Sequence, residues 1–261
     1  MIRQLELIDT LLAEGRDEFS FDEAKSVLGV STPATANALR RLAAQGLVDR
    51  LTRGHYAIRP LGSLGTSTAT DDLSLAVGGA FEGREHRIAF LSALAELGLV
   101  SHPVRQIYVA CTHQVRFTAI STRALRSIVE RPATIHLEAE AVGRSWRSSL
   151  ERALFESALR VDLTGDVERL AEALAAGSRD ADRERITRLA TAFGARGRAA
   201  ERRISSLANA LDLPLSLDPA VDRGQPVIRL DPRDDRVEWT DRRFRVAWNT
   251  PIDELRAIVG N

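Results

Sequence analysis

From Ile2 to Ala43 apolar side chains recur at helical intervals, and beyond Gly46 the pattern shortens to that of extended chain. Ile2, Leu5, Ile8, Leu11 and Leu12 fall on one stripe and predict a first helix over 2–13. Phe19-Ser20-Phe21 reads as a short extended link; Asp22 is then expected to cap a helix through Leu28, with Ala24, Val27 and Leu28 inward and Gly29 as its stop. A third helix starts at Ser31 or Thr32, either of which offers a capping oxygen, with Pro33 in the first turn where its missing N–H costs nothing. Gly46 is its expected end. Ala36, Leu39, Leu42 and Ala43 are expected inward, leaving Thr35, Asn37, Arg40 and Arg41 on other faces. Leu47 to Thr52 and His55 to Arg59 are strand-like runs joined at Arg53-Gly54, where glycine supplies a positive φ, so a hairpin follows. A helix pair followed by a basic-tipped hairpin predicts a winged helix-turn-helix, whose second helix enters the major groove while the wing touches the neighbouring backbone.

The stretch PLGSLGTSTAT, 60–70, is rich in Gly, Ser and Thr and nearly free of large apolar groups, as a linker is. The expected division is a winged helix-turn-helix over 1–62, a linker over 63–70 and a larger mixed α/β domain over 71–261, an α+β protein. In the larger part the pattern predicts a helix over 84–97 and a strand over 106–111 with 115–120 as its hairpin partner. It further predicts a helix over 122–130, a strand with one wet face over 134–142, and helix again from Ser148 to Ala176. Residues 179–213 form a long charged helical region broken near Phe193-Gly194. Between Arg183 and Arg203 seven arginines stand against Glu184 and Glu201, so a solvated outer helix pair is expected, with Ile186, Leu189, Ile204 and Leu207 inward. The strand-like runs of the tail, 226–230, 237–239 and 244–248, are expected to close the domain's sheet before a short helix from Ile252.

Charge sharpens the first part of this picture. The chain carries 36 basic and 36 acidic residues, so a nucleic-acid surface must come from local segregation of charge. Between Pro33 and Pro60 five arginines stand against the single acid Asp49, a basic stripe where phosphate contacts are needed. Ser31, Thr32, Thr35, Asn37, Arg40 and Arg41 are therefore the expected DNA-contacting residues of the helix, and Arg53 and His55 those of the wing.

Catalytic chemistry finds little support. Only one basic residue is a lysine, Lys25, which removes most routes to a phosphate-loop lysine or a Schiff base. Cys111 is the only cysteine, and the five histidines fall on separate elements without an i,i+4 pair, so neither a disulfide nor a metal site is expected. Asp234-Asp235 sits in a turn sequence, and no G-x-S-x-G, G-x-G-x-x-G or P-loop occurs. No catalytic residue, cofactor or metal is expected. The N-terminal residues lack a signal-peptide core and no apolar run approaches the roughly twenty residues of a membrane span, so a cytoplasmic location is expected.

GVSTPATANALRRLAAQGLVDRLTRGHYAI resembles the winged helix of the AbiEi-type antitoxins, whose wing ends in an Arg-Gly-x-Tyr-Ala pattern matched by Arg53-Gly54-His55-Tyr56-Ala57. SSLERALFESALRVDLTGDVERLAEAL is similar to that family's second-domain segment, a Ser-x-x-Glu-Arg run, a helix, an Asp-Leu-x-Gly turn and another helix. WTDRRFRVAWNTPIDEL is similar to its terminal strand and short helix. Where the family commonly has Glu-Arg-Thr-Leu-x-Asp, this chain has Glu151-Arg152-Ala153-Leu154-Phe155-Glu156, and the arginine-rich stretch 179–203 has no counterpart. The resemblance implies a protein with two roles. The winged helix represses its own operon at inverted repeats in double-stranded DNA, and the second domain neutralises a cognate nucleotidyltransferase-like toxin. The alternative is a stand-alone transcription regulator whose second domain senses a small molecule in a closed apolar pocket.

Overall fold

The computed structural model describes residues 2–44, 47–52, 54–58, 73–101, 104, 106–120, 123–222 and 224–259. The expected linker 63–70, the expected helix stop Gly46 and the wing residue Arg53 lie outside them. The described chain falls into two compact units, one from Met1–Glu85, Val115–Leu125 and Ala141–Ser145, the other from His86–Gln114, Arg126–Glu140 and Trp146–Asn261.

The first unit opens with α1 (Ile2–Ala13), β1 (Glu18–Ser20), α2 (Phe21–Leu28), α3 (Thr32–Ala44), β2 (Val48–Thr52) and β3 (His55–Ile58), followed by α4 (Leu73–Ala80). The three strands form a sheet in the order β1-β3-β2, the arrangement of a winged helix-turn-helix. Leu7, Ile8, Leu11, Phe19, Ala24, Leu28, Leu39, Leu42, Val48 and Ile58 make its core. Leu12 and Val27, expected inward, are 44% and 42% exposed, because the buried stripes run through Leu7-Ile8-Leu11 and Ala24-Leu28 instead. Asp22 does not cap α2. Ser20 does, in a full capping box: its Oγ accepts from the Glu23 N–H at 3.2 Å and Glu23 Oε2 accepts from the Ser20 N–H at 2.7 Å. Gly29 ends α2 with φ +63°, left-handed backbone that a side chain would oppose. α4 packs on β2 and β3, and Phe81 meets Phe117 edge to face at 5.1 Å.

The remaining elements are β4 (His86–Ile88), α5 (Phe90–Glu96), β5 (Gln106–Cys111), β6 (Ala119–Ile120), β7 (Arg123–Val129), α6 (Pro132–Ile135), β8 (Ala139–Val142), β9 (Ser145–Ser148), α7 (Leu150–Leu159), α8 (Val161–Thr164), α9 (Val167–Gly177), α10 (Arg183–Ala192), α11 (Gly194–Ala210), β10 (Ile228–Arg229), β11 (Trp239–Asp241), β12 (Val246–Trp248) and α12 (Ile252–Val259). In the second unit β4 lies between β5, to which it is antiparallel, and β9, to which it is parallel. The helix expected over 84–97 is thus a strand and a shorter helix, because His86, Arg87 and Ile88 are all buried in the sheet and Phe90 turns the chain with φ +52°. β5 pairs with β4 and not with 115–120, of which only Ala119-Ile120 is strand and pairs with β7. The helix expected over 122–130 is β7. The strand expected over 134–142 begins only at Ala139, since Pro132 starts the short α6 and Glu138, at φ +51°, breaks the run.

The helices of the second unit surround α7, which packs against α5, α9, α10 and α11. Every residue of α7 from Glu151 to Ala158 is buried. Ile186, Leu189, Ile204 and Leu207 point inward as expected, but α11 is no outer helix: Ala200 through Ala208 are buried. α10 and α11 approach closely at Gly197, where a Cβ would come within 2.3 Å of the Ala190 carbonyl oxygen. The tail strands do not extend the main sheet. They form their own, in the order β10-β12-β11, with β10 parallel and β11 antiparallel to β12. No described helix is long and apolar enough to cross a membrane.

Candidate nucleic-acid interface

α3 presents its polar residues outward by the geometry of its buried face. Thr35, Ala38, Leu39 and Leu42 are buried and stand at i, i+3, i+4 and i+7, one stripe that seats the helix on the core. Ser31, Thr32, Asn37, Arg40 and Arg41 are exposed. None of the side chains of Asn37, Arg40 or Arg41 forms a hydrogen bond or ion pair with a described residue, so their donors are available to a ligand.

Thr35 corrects the expectation. It is fully buried, and its Oγ1 donates to the Ser31 carbonyl oxygen at 3.1 Å, closing the first turn of α3. It therefore cannot reach a base edge. The expected inward stripe ran through Ala36, Leu39, Leu42 and Ala43 and left Thr35 on another face; the buried stripe instead begins at Thr35 and includes Ala38, while Ala36 and Ala43 are only partly buried.

The wing is the β2–β3 hairpin, with Val48 opposite Ile58, Asp49 opposite Ala57 and Arg50 opposite Tyr56. An irregularity between Arg50 and Thr52 precedes Gly54, whose φ of +88° makes the tip. The tip is tied to the start of α2 by the Phe21 N–H, which donates to the Gly54 carbonyl at 2.7 Å. Tyr56 stacks on Phe19 with ring centroids 5.6 Å apart, fixing β3 against β1. His55 is half-buried and its Nδ1 lies 3.7 Å from Glu82 Oε2, an ion pair when the imidazole is protonated. Between α3 and the hairpin runs a groove of about 550 Å³, with Leu39, Ala43 and Tyr56 beneath and the exposed Arg40 and Arg50 on its lining.

The capping box carries the unit's clearest electrostatic feature. Glu23 is held down to about 2, first by the Ser20 N–H and, against the cost of burial, by the Arg16 guanidinium 2.5 Å away. Asp49, the one acid in the basic stretch, is buried.

The segments of the second unit that resemble a family motif hold the fold. Ser149 caps α7, accepting from the Arg152 N–H at 3.3 Å, while Glu151 accepts from the Asp182 N–H at 3.1 Å and pairs with Arg185 at 2.8 Å. Arg152 and Arg87 share the carboxylates of Glu156 and Glu130. Arg87 is fully buried, donating to Glu156 at 2.9 Å, Glu130 at 3.0 Å, Ser148 at 3.0 Å and the Ile135 carbonyl. Burial works against an ionised Glu130, yet Arg87 and Arg152 outweigh it and lower its pKa. Arg87, Arg152 and Glu156 are buried and only the Glu130 side chain, 12% exposed, reaches the surface, so the network ties β4, the end of β7 and α7 together from within. Asn249 brackets the turn after β10, accepting from the Asp231 N–H at 3.0 Å and donating to the carbonyls of Asp231 and Asp234 at 2.8 Å. Asp234 is paired with Arg236 at 2.6 Å, and Cys111 is a buried thiol directed at the His113 carbonyl. Among the described residues no cluster of His, Cys, Asp or Glu is arranged to hold a metal.

A crystal structure of the RV2827C protein from Mycobacterium tuberculosis matches the fold with a TM-score of 0.68 at 17% sequence identity, over 100% of this chain and 96% of that one. No curated protein matches the sequence. Residues 6–59 match a family model described as "Transcriptional regulator, AbiEi antitoxin". This is a family of regulators and antitoxins, and it is the one that the wing motif resembles: over residues 6–59 the chain is similar to it.

Proposed function

We propose that this protein is a DNA-binding antitoxin that represses its own operon through the winged helix and neutralises a nucleotidyltransferase-like toxin through residues 71–261. The observation that carries the DNA-binding half is the outward face of α3, where Asn37, Arg40 and Arg41 are exposed with uncommitted donors. In the major groove an arginine can donate in parallel to the O6 and N7 of guanine, and an asparagine can pair with adenine. Ser31 and Thr32, at the start of the same helix, suit phosphate contacts, and Arg53 and His55 of the wing would reach the flanking backbone. Inverted repeats in the operator would place two copies of the helix on successive turns of duplex. The antitoxin half rests on the family match at residues 6–59 and on the likeness of the 148–174 segment to the family's second domain. A cytoplasmic location goes with both roles.

A gel-shift assay on the protein's own upstream DNA tests the first half. Tight binding that weakens steeply with salt is expected, with a large loss in Arg40→Ala/Arg41→Ala. Unchanged affinity in that variant would remove the recognition role of α3. Co-expression with the neighbouring gene tests the second half: growth arrest by that product alone and rescue by the full chain are expected, and a harmless neighbour would overturn it.

A further inference from the structure

The arginine-rich stretch, which the resemblance leaves without a counterpart, lines a hollow in the second unit. Arg196, Ala199 and Arg203 stand at i, i+3 and i+7 on one face of α11, and the small Ala199 leaves space between the two arginines. The hollow measures about 300 Å³; Arg160 and Asp162 close it from the α7–α8 corner, and Arg233 from the turn after β10.

The four guanidinium groups differ in what they already bind. Arg160 is engaged by Asp162 through Nε and Nη2, at 2.7 and 2.8 Å. Arg233 is engaged by Asp231 and by the Gly165 carbonyl. Arg203 is 8% exposed and directs Nε to the Arg229 carbonyl at 2.8 Å and Nη1 to the Ala158 carbonyl at 3.0 Å. Its Nη2 has no partner among the described residues, and no carboxylate is hydrogen-bonded to it. Burial accordingly pushes Arg203 down to about 10, although Asp231 opposes this. Arg196 is exposed and makes no bond to a described residue. Four arginines and Asp162 line the hollow, with Arg126 beside Asp162 and with Asp166 and Asp231 near Arg233, so it keeps an excess of positive charge.

We propose that this hollow binds a small phosphate monoester, its phosphoryl oxygens accepting from Arg196 and from Nη2 of Arg203. A phosphoryl dianion can accept from two guanidinium groups of the lining that keep uncommitted donors, and Leu159, Val161 and Pro232 offer apolar wall to the organic part. A volume of about 300 Å³ exceeds what a bare phosphate fills and lies at the lower end of small-molecule sites. The proposal is independent of DNA recognition by α3.

Calorimetric titration of the full chain with inorganic phosphate and with adenosine 5′-monophosphate, against sodium chloride of equal ionic strength, tests it. Saturable binding of both is expected, tighter for the monoester. Arg196→Ala, an exposed change that leaves the Arg203 carbonyl contacts in place, should weaken monoester binding about tenfold or more, with partial recovery in Arg196→Lys. Four results would overturn the proposal: no saturable monoester binding, binding of inorganic phosphate alone, equal affinity in Arg196→Ala, or a loss in that variant of DNA affinity in place of monoester affinity.

Discussion

Arg87 on β4 and Glu156 on α7 meet at 2.9 Å with side chains 0% and 1% exposed, an ion pair wholly inside the second unit. Glu156 also accepts from the Phe90 N–H and from Ser148, so the positive-φ turn into α5 is fixed by the same carboxylate. Removing one partner strands the other in a dry interior. Arg87→Ala is expected to destabilise the protein by about 3–5 kcal/mol, read from denaturant unfolding. A loss below about 1 kcal/mol would show the pair to be solvated.

Ser20→Ala removes the acceptor for the Glu23 N–H and should cost about 1 kcal/mol, with Ser20→Asp largely restoring it. Thermal unfolding of the two variants beside the native chain checks this.

Glu23 supplies a pH dependence of known sign. Its folded pKa of about 2 lies below the ordinary 4.5, so its ionised form stabilises the fold above the ordinary value, and that contribution is lost as pH falls from about 4.5 towards 2. In Glu23→Gln this part of the acid dependence should vanish. The gap in melting temperature between native and variant chains should therefore narrow as the buffer is acidified, and a gap constant with pH would contradict the pairing.

Thr35 and Asn37 separate position from residue type. Thr35→Val should leave DNA affinity unchanged, because the side chain is buried, whereas Asn37→Ala should cost about 1–3 kcal/mol of operator binding if Asn37 reads an adenine. Equal losses in both would mean that α3 acts only as a scaffold.

Gly197→Ala drives a methyl into the Ala190 carbonyl, 2.3 Å away, and into Phe193 Cβ, 2.8 Å away. Overpacking of this kind costs about 1–3 kcal/mol, so a lower unfolding midpoint is expected, with operator affinity at low temperature preserved.

The winged helix was largely legible in the sequence because its signals are local: a glycine stop at Gly29, a hairpin tipped by Gly54 and a helical stripe; the cap of α2 was not, since Ser20 and not Asp22 holds it. The second unit was less so. His86-Arg87-Ile88 resembles the flank of an amphipathic helix, and its burial depends on Glu130, Ser148 and Glu156, far along the chain. β5 has a nearer apolar run available at 115–120, yet pairs with β4, and nothing in the intervening sequence announces that choice. Arg202 and Arg203 carry the signature of a wet helix face; only the folded chain reveals the carbonyl acceptors that let them be buried.

Those acceptors have a consequence for synthesis. Arg202 donates to the carbonyls of Phe244, Pro226 and Arg245, and Arg203 to that of Arg229, so α11 is completed by residues up to 43 positions downstream. While the ribosome is still making that stretch, Arg202 lacks its three carbonyl acceptors and Arg203 has only that of Ala158. The second unit must therefore reach its native packing late in translation, after β12 has cleared the exit tunnel, whereas the winged helix has its whole core far earlier.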